Sequence, residues 1–472
     1  MRLHNTLTRQ VEDFSPLPDS EIAVYCCGPT VYDYQHIGNF RKFIFDDTLR
    51  RTLEASGYKV KQVMNVTDVG HLVSDADEGE DKLQKSAERE GKSVWEVAKH
   101  YTDAFKRDSD LLNILPPNGY QGKEDNYARA TDFIDDQIAL VKILLDKGFA
   151  YQSELAIYFD VSKLPNYGEL TGQKLSDKEV AARPEVVTDQ NKRHPQDFAL
   201  WFFTVGHFKN HTMHWPSPWG DGFPGWHLEC SAIIHATLGD PIDIHTGGVD
   251  NIGTHHVNEM AQTEAAYGHK LANYWLHSEH LLVNNQKMSK SLNNFYTLAD
   301  VIDKGYSPIA FRLLVLQAHY RTQMNFTWEG LTSMANLLSK LNQWSDIQFQ
   351  DLSSQELASS YDEESSKILK VLSDDLNTPR ALMIVNGMVN SVESLGADST
   401  AIASAAKLVD RLLGLNLSKR FDINEAVKQL IKQREQARQA QDWKKADELR
   451  AQLQIQEIDI NDTNRGPVWY RF

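Results

Sequence analysis

Residues 21–67, EIAVYCCGPTVYDYQHIGNFRKFIFDDTLRRTLEASGYKVKQVMNVT, decide the fold. Residues 21–28 are apolar and β-prone and stop at Gly28-Pro29, the signature of a buried strand. A helical pattern follows over 40–57 and closes at Gly57, and 58–67 reads as a second strand. Strand, helix and strand in that order predict a parallel α/β sheet, whose ligands gather at the carboxyl ends of the strands. The chemically suggestive residues fall just past the first strand. Two of the chain's three cysteines, Cys26 and Cys27, stand side by side there. Successive side chains of a strand point to opposite faces, so the two thiols cannot serve one site.

Working outward, a long insertion occupies roughly 115–225, with a helix over 125–148 and a hairpin-like AYQSELAIYFD at 150–160. The α/β pattern resumes with a helix near 227–238, a strand IDIHTGG at 242–248, a helix over 254–267 and a strand HLLVNN at 280–285. Beyond about 300 the chain reads as almost wholly helical. Its polar stretch 346–366 has the composition of a linker or frayed helix, and a last helix over 422–453 precedes a short tail.

At 472 residues the chain is too long for one compact core, while 41% apolar and 24% charged residues are ordinary for a soluble globular protein. No apolar run reaches the roughly 18–20 residues of a membrane span, and the N-terminus lacks a signal peptide's apolar core. Three cysteines make no disulfide framework, which points to a reducing cytoplasm with thiols free for metal or catalysis. A net charge of −16 excludes a surface basic throughout. Locally, 419–450 holds nine Lys/Arg against six Asp/Glu, which suits RNA contact and a solvated helix face equally well.

KMSKS at 287–291 is the sharpest short motif. Its lysines among hydroxyl residues suit a polyphosphate whose charge builds up during transfer, although a solvated Lys/Ser loop has the same composition. His36-Ile37-Gly38-Asn39 opens a helix whose N-terminus attracts phosphate, with Gly38 allowing close approach and His36 able to donate to an α-phosphate. His255 and Glu259, four apart on a predicted helix, share a face; such a pair is ordinarily a surface hydrogen bond.

Together, in this order and on this frame, HIGN and KMSKS resemble the HIGH and KMSKS signatures of class I aminoacyl-tRNA synthetases. NTLTRQVEDF (5–14), CGPTVYDYQHIG (27–38), WPSPWGDGFPGWHLECSA (215–232), DIHTGGVD (243–250), HHVNEMAQ (255–262), DDLNTPRA (374–381) and ARQAQDWKKADELR (437–450) narrow the resemblance to the cysteinyl-tRNA synthetases, nearly end to end. The resemblance implies a Rossmann-type parallel-sheet α/β catalytic domain with a connective insertion, followed by all-α C-terminal domains. The boundaries expected are 1–114 and 226–300 for the two catalytic halves, 115–225 for the insertion, 301–345 for a stem-contact region, 346–417 for a helical bundle and 418–472 for anticodon binding.

It implies ATP-dependent activation of L-cysteine to cysteinyl-adenylate, Mg²⁺ assisting, and transfer to tRNA-Cys. His36, Lys287 and Lys290 match catalytic positions, and Gly38, Asn39 and Ser289 join them around ATP. Thr30, Thr67, Trp226 and Asp250 match the amino-acid pocket, with Asp250 facing the substrate ammonium; Trp226 could equally be plain core. Cys27, Cys230, His255 and Glu259 match the ligands of one Zn²⁺, a metal that prefers a thiolate to a serine hydroxyl and so replaces editing. That places Cys27 toward the pocket and leaves Cys26 a small buried hydrophobe. Arg438, Asp447 and Asp462 match anticodon readers, while Trp443 is expected to pack its helix. A cytoplasmic monomer without membrane contact is expected.

The departures are Asn39 for the second His of HIGH, Phe223 for an Arg, Val257 for a Glu, Asn293 for a Gly, and an expanded TDVGHLVSDADEGEDKL at 67–83. Two other readings stay open at this level: a cysteine:amino-sugar ligase of mycothiol type, which lacks the C-terminal region, and a non-catalytic zinc- and tRNA-binding paralogue.

Overall fold

The computed structural model describes residues 1–18, 21–70, 72–74, 78–172, 192–289, 292, 294–350, 361–395, 399–463 and 466–471. They form two compact units, Met1–Leu282 with Lys287–Leu298 and Tyr320–Met324, and Val283–Gln286 with Ala299–His319 and Asn325–Phe472.

The first unit is built on a five-stranded parallel sheet in the order Ala272–Ser278, Ile242–Gly248, Ile22–Cys26, Val60–Val66, Ala128–Arg129. The Ile22–Cys26 strand is central. The chain leaves it through the Ile37–Ala55 helix to the Val60–Val66 strand on one side, and returns later to lay Ile242–Gly248 on the other. The strand order therefore reverses between Ile22–Cys26 and Ile242–Gly248, and at such a switch a crevice opens beyond the carboxyl ends. Gly28 sits at that opening with its Cα so close to the next strand that a Cβ would lie 1.6 Å from the Asn65 carbonyl oxygen. Only glycine fits there.

The expected helix over 40–57 begins earlier, at Ile37, because His36 and Asn39 cap it reciprocally. The expected helix over 125–148 is shorter, Ile134–Asp146, preceded by a 3₁₀ turn at Ala130–Phe133 and the edge strand Ala128–Arg129. Thr131 N–H and Oγ1–H both donate to the buried Asp68 carboxylate, at 3.0 and 2.6 Å, and that anchor holds the turn out of α geometry. The outer strand of the sheet is ANYWLHS, Ala272–Ser278, rather than the later apolar run; only Leu281–Val283 of HLLVNN is strand, and outside the parallel sheet. A strand buried on both faces loses the alternation that would reveal it.

The insertion carries the expected hairpin, Ala150–Gln152 with Ala156–Phe159, in a four-stranded antiparallel sheet completed by Phe198–Phe203 and Gly222–Pro224.

In the second unit, helices Pro308–Leu316, Trp328–Asp346, Asp362–Leu372, Thr378–Leu395 and Ser399–Leu413 are followed by the pair Glu425–Gln439 and Trp443–Ile455. The tail adds an antiparallel hairpin, Ile458–Thr463 with Gly466–Arg471, to the helical architecture. Ile423, Val427, Leu453, Ile458, Ile460 and Trp469 form the small core under it. The fully buried Asp346 carboxylate binds it to the bundle, accepting from Arg420 at 2.7 and 2.6 Å and from Arg471 at 3.0 Å. In the stretch expected to be a linker, 351–360 lies outside the described residues.

Candidate active site and metal centre

The alternation of the first strand separates the two cysteines. Cys26 is fully buried against Gln62, whose Nε2 lies 3.3 Å from its sulfur, and burial pushes its thiol up to about 12. Cys27 turns the other way, into a cluster in which Cys27, Cys230, His255 and Glu259 bring one donor atom each within 4.8 Å of the rest, all four residues buried. Burial opposes ionisation of Cys27, but hydrogen bonds from Cys230 and His255 and the nearby charge of His245 outweigh it and hold the thiol at about 5. The Glu259 carboxylate is likewise buried, yet His245 and His255 keep it at about 2. His255 resists burial, with Glu259 and Cys27 holding it up at about 10.

The i, i+4 spacing is thus an interior pairing, His255 Nε2 to Glu259 Oε1 at 2.9 Å, on the helix His255–Tyr267. Beyond that close approach of His255, Glu259 Oε1 has no well-aligned hydrogen bond, as suits an oxygen aimed at a shared cation. Two sulfurs, an imidazole and a carboxylate fit zinc.

Reasoning from the sequence did not single out the imidazoles behind this cluster. His245 Nε2 meets Glu259 Oε2 at 2.7 Å, and His227 Nδ1 meets His255 Nδ1 at 2.9 Å. His256 stands between Cys27 Sγ at 3.3 Å and His277 at 2.7 Å, and His277 reaches Thr6 Oγ1 at 2.7 Å. Cys27, His245, His256 and Glu259 form a second convergent set. The available signal was density: seven of the chain's 17 histidines fall between 227 and 277.

The expected amino-acid pocket residues border the same crevice. Thr30 and Thr67 pair in a parallel bridge. Thr67 Oγ1–H donates to the buried Glu229 at 2.8 Å and accepts from Asn65 at 3.2 Å. Trp226, the first residue of the Trp226–Thr237 helix, is half-buried and stacks on His255 with ring centroids 4.1 Å apart, so it is not plain core. Asp250 is exposed on the turn Val249–Asn251 that follows the Ile242–Gly248 strand.

At the helix entrance, His36 N–H donates to Asn39 Oδ1 at 3.0 Å, and Asn39 N–H donates to His36 Nδ1 at 3.1 Å. With Nδ1 accepting, the neutral ring carries its proton on Nε2. Burial, only partly offset by Asp250, holds His36 at about 4, so the ring is neutral near pH 7. HIGN and the KMSKS loop meet here. A Cβ on Gly38 would lie 2.5 Å from Met288 Cε, Ile37 N–H donates to Tyr296 O at 2.9 Å, and His36 bridges Thr297. Lys287 is exposed. Asn294, which sequence reasoning passed over, pins the loop by donating to Lys287 O at 3.1 Å and accepting from Ser289 N–H at 2.8 Å. Lys290 and Asn293 lie outside the described residues.

Of the other departures, Val257 is buried, and Phe223 is fully buried and stacked on His211, whose Nε2 meets Asp81 Oδ2 at 2.6 Å. In the second unit, Asp462 binds Arg434 at 2.7 and 2.8 Å and Arg438 at 3.0 Å. Asp447 is exposed, one turn beyond Trp443. Trp443 does not pack its helix: it is 57% exposed, with the Arg438 guanidinium 5.8 Å from its ring. As the first residue of the Trp443–Ile455 helix it lies before the buried row begins at Ala446.

The parallel sheet, the switch-point crevice and the paired HIGN and KMSKS segments define a class I aminoacyl-tRNA synthetase, and the family model of the class I (C) tRNA synthetase catalytic domain matches residues 13–336. The cysteinyl-tRNA ligase anticodon-binding domain matches residues 420–469. The chain belongs to the cysteine–tRNA ligase family. It is 40% identical to the cysteine–tRNA ligase of Treponema denticola over 503 aligned positions, covering 99% of each chain. It is also 40% identical to cysteine–tRNA ligase 1 of Burkholderia lata, covering 99% of this chain and 96% of that one. Among solved structures, Mycobacterium tuberculosis methionyl-tRNA synthetase in complex with methionyl-adenylate shares the fold, with a TM-score of 0.59 at 15% identity over 85% of this chain and 93% of that one.

Proposed function

We infer that the chain activates L-cysteine with ATP, releasing pyrophosphate, and transfers the cysteinyl group from the adenylate to tRNA-Cys. The observation that carries this reading is the convergence of Cys27, Cys230, His255 and Glu259 beyond the end of the Ile22–Cys26 strand, the strand that leads to the helix His36 caps. One zinc ion per chain would be held by those four side chains, and it supplies a soft Lewis-acidic centre that favours a substrate thiolate over a hydroxyl. Thr30, Thr67 and Trp226 confine the amino acid, and the Asp250 carboxylate pairs with its ammonium. The His36 Nε2–H donates to the α-phosphate as a neutral group. Lys287 and Lys290 neutralise charge that grows on the phosphates in the transition state, and Gly38, Asn39 and Ser289 shape the ATP site, with Mg²⁺ accompanying the nucleotide.

Arg438, Asp447 and Asp462 read the anticodon, and the enzyme works as a cytoplasmic monomer. No helix among the described residues is long and apolar enough to cross a membrane. The anticodon-domain match at 420–469 gives an amino-sugar ligase no support. The test has two stages: cysteine-dependent ATP–pyrophosphate exchange, then charging of tRNA-Cys. Exchange without charging refutes the transfer step, and absence of exchange refutes the whole reading.

A further inference from the structure

Cys27 lies one residue beyond the last ladder pair of its strand, Cys26 with Thr246, where loop conformation would normally begin. Its backbone is nevertheless fixed on both sides. The Cys27 N–H donates to Thr246 O at 3.2 Å, and its carbonyl accepts from the Lys42 ammonium. Lys42 in turn pairs with Asp46 at 2.7 Å, one turn further along the same helix, and Asp46 Oδ1 accepts from Thr246 Oγ1–H at 2.7 Å. The four residues close a ring, Cys27 to Thr246 to Asp46 to Lys42 and back to Cys27. Lys42 and Asp46 are both buried, with side chains 11% and 1% exposed. A buried ion pair generally contributes little to stability relative to apolar residues of the same size, so its presence here calls for another role. Fixing the peptide planes on either side of Cys27 fixes the direction of its Cα–Cβ bond and hence where Sγ points.

We propose that Lys42, tied down by Asp46 and Thr246, is a positioning residue for the metal centre, holding the Cys27 thiolate in the geometry that binds zinc and presents it to a thiol substrate. The proposal rests on the zinc reading above. The test uses the full-length double variant K42M/D46N, which removes both charges, keeps an acceptor for Thr246 and leaves no buried ion unpaired. The probes are zinc alone, by competition with a chromophoric chelator, and cobalt alone, by the thiolate-to-metal absorption band.

Loss of a partner one step behind a metal ligand commonly costs about 10–100-fold in metal affinity. The expected result is a zinc dissociation constant raised by that factor, a shifted cobalt band, and a higher cysteine KM with the ATP KM within about twofold of wild type. A merely structural pair would move the unfolding midpoint and leave the cobalt band and the KM ratio alone. A folded double variant with wild-type zinc affinity and cobalt spectrum overturns the proposal. If it does not fold, Thr246→Val, which removes only the hydroxyl on Asp46, is expected to weaken zinc in the same direction by a few-fold, and unchanged affinity there overturns it equally. A wild-type protein that binds no zinc would sink the functional reading itself, a separate outcome.

Discussion

Exchanging each of the adjacent cysteines for serine separates a proposed metal ligand from a packing residue one position away in the chain. The cluster at Cys27 offers four donor atoms within 4.8 Å, so the substitution removes one of the four proposed zinc ligands. Four-ligand zinc sites hold the metal with roughly 10–16 kcal/mol of apparent free energy, hence about 2.5–4 kcal/mol per ligand, or about 10²–10³-fold in affinity. Serine cannot restore it, because its hydroxyl does not ionise near neutral pH. Cys26 faces away, fully buried with a thiol held neutral by burial. Cys26→Ser exchanges a small apolar atom for a hydroxyl beside Gln62, which costs about 1–3 kcal/mol of stability. The assay combines zinc content by elemental analysis, thermal unfolding, and pyrophosphate exchange with cysteine and with serine. Cys27→Ser is expected to lose zinc and cysteine-selective activation together, and Cys26→Ser to lose only stability. A Cys26→Ser protein emptied of zinc beside a fully loaded, selective Cys27→Ser protein would refute the assignment of the strand's faces.

Lys287→Ala is expected to lower the activation rate by about 10²-fold with little change in the ATP KM, the mark of a group acting on the transition state; steady-state exchange kinetics check it. Asn39→Ala removes the acceptor for the His36 backbone N–H but keeps the backbone donor to its ring, so about 1 kcal/mol of stability and the fixed helix entrance that carries His36 should go together, while Asn39→Ser, which keeps an acceptor, retains most of both; unfolding and exchange are measured in parallel. Trp443→Ala should raise the KM for tRNA by the cost of a lost stacking platform, about 1–3 kcal/mol, and leave pyrophosphate exchange untouched. Burial raises Asp68 to about 6 against the hydrogen bonds of Thr131, so the folded state binds its proton more tightly than the unfolded chain does. Stability from this group is therefore fully present below about pH 3.8 and is lost as pH rises through about 6, by about 3 kcal/mol over the whole window, and Asp68→Asn should unfold like wild type at pH 4 and later than it at pH 7.

The parts legible in the sequence were those with local signals. The strand, helix and strand of 21–67 announced themselves through apolar runs, a closing glycine and periodicity, and the structure returns them with only the ends moved. Ala272–Ser278 hid because burial on both faces erased its alternation, and its His277 and Trp275 belong to the floor of the site rather than to a generic strand. The C-terminal hairpin hid for the opposite reason: its strands alternate weakly, and it is held by distant partners, Gln350 Nε2 donating to Trp469 O at 2.8 Å across 119 residues. Residue type alone predicts a packed Trp443. Only its place at the first turn of its helix, before the buried row, leaves it exposed.

The two ends of the crevice are built to opposite standards, and the chemistry gives a reason. Choosing a thiol over a hydroxyl depends on distances at one point. The groups in the cluster are accordingly buried, chained through Glu259–His245 and His256–His277–Thr6, and, Cys27 and Thr6 apart, rooted in strands and helices. Phosphoryl chemistry at the other end must admit ATP and release pyrophosphate. Its described cation, Lys287, sits on an exposed segment that the buried Asn294 pins at Lys287 O and Ser289 N–H. His36 joins the two regimes: capping fixes its ring and burial keeps it neutral, which in the proposed reading leaves its Nε2 proton for the ligand. A permanently charged group there would attract free phosphate as readily as the transition state, whereas a neutral donor held in place gains most when charge develops on the oxygen it faces.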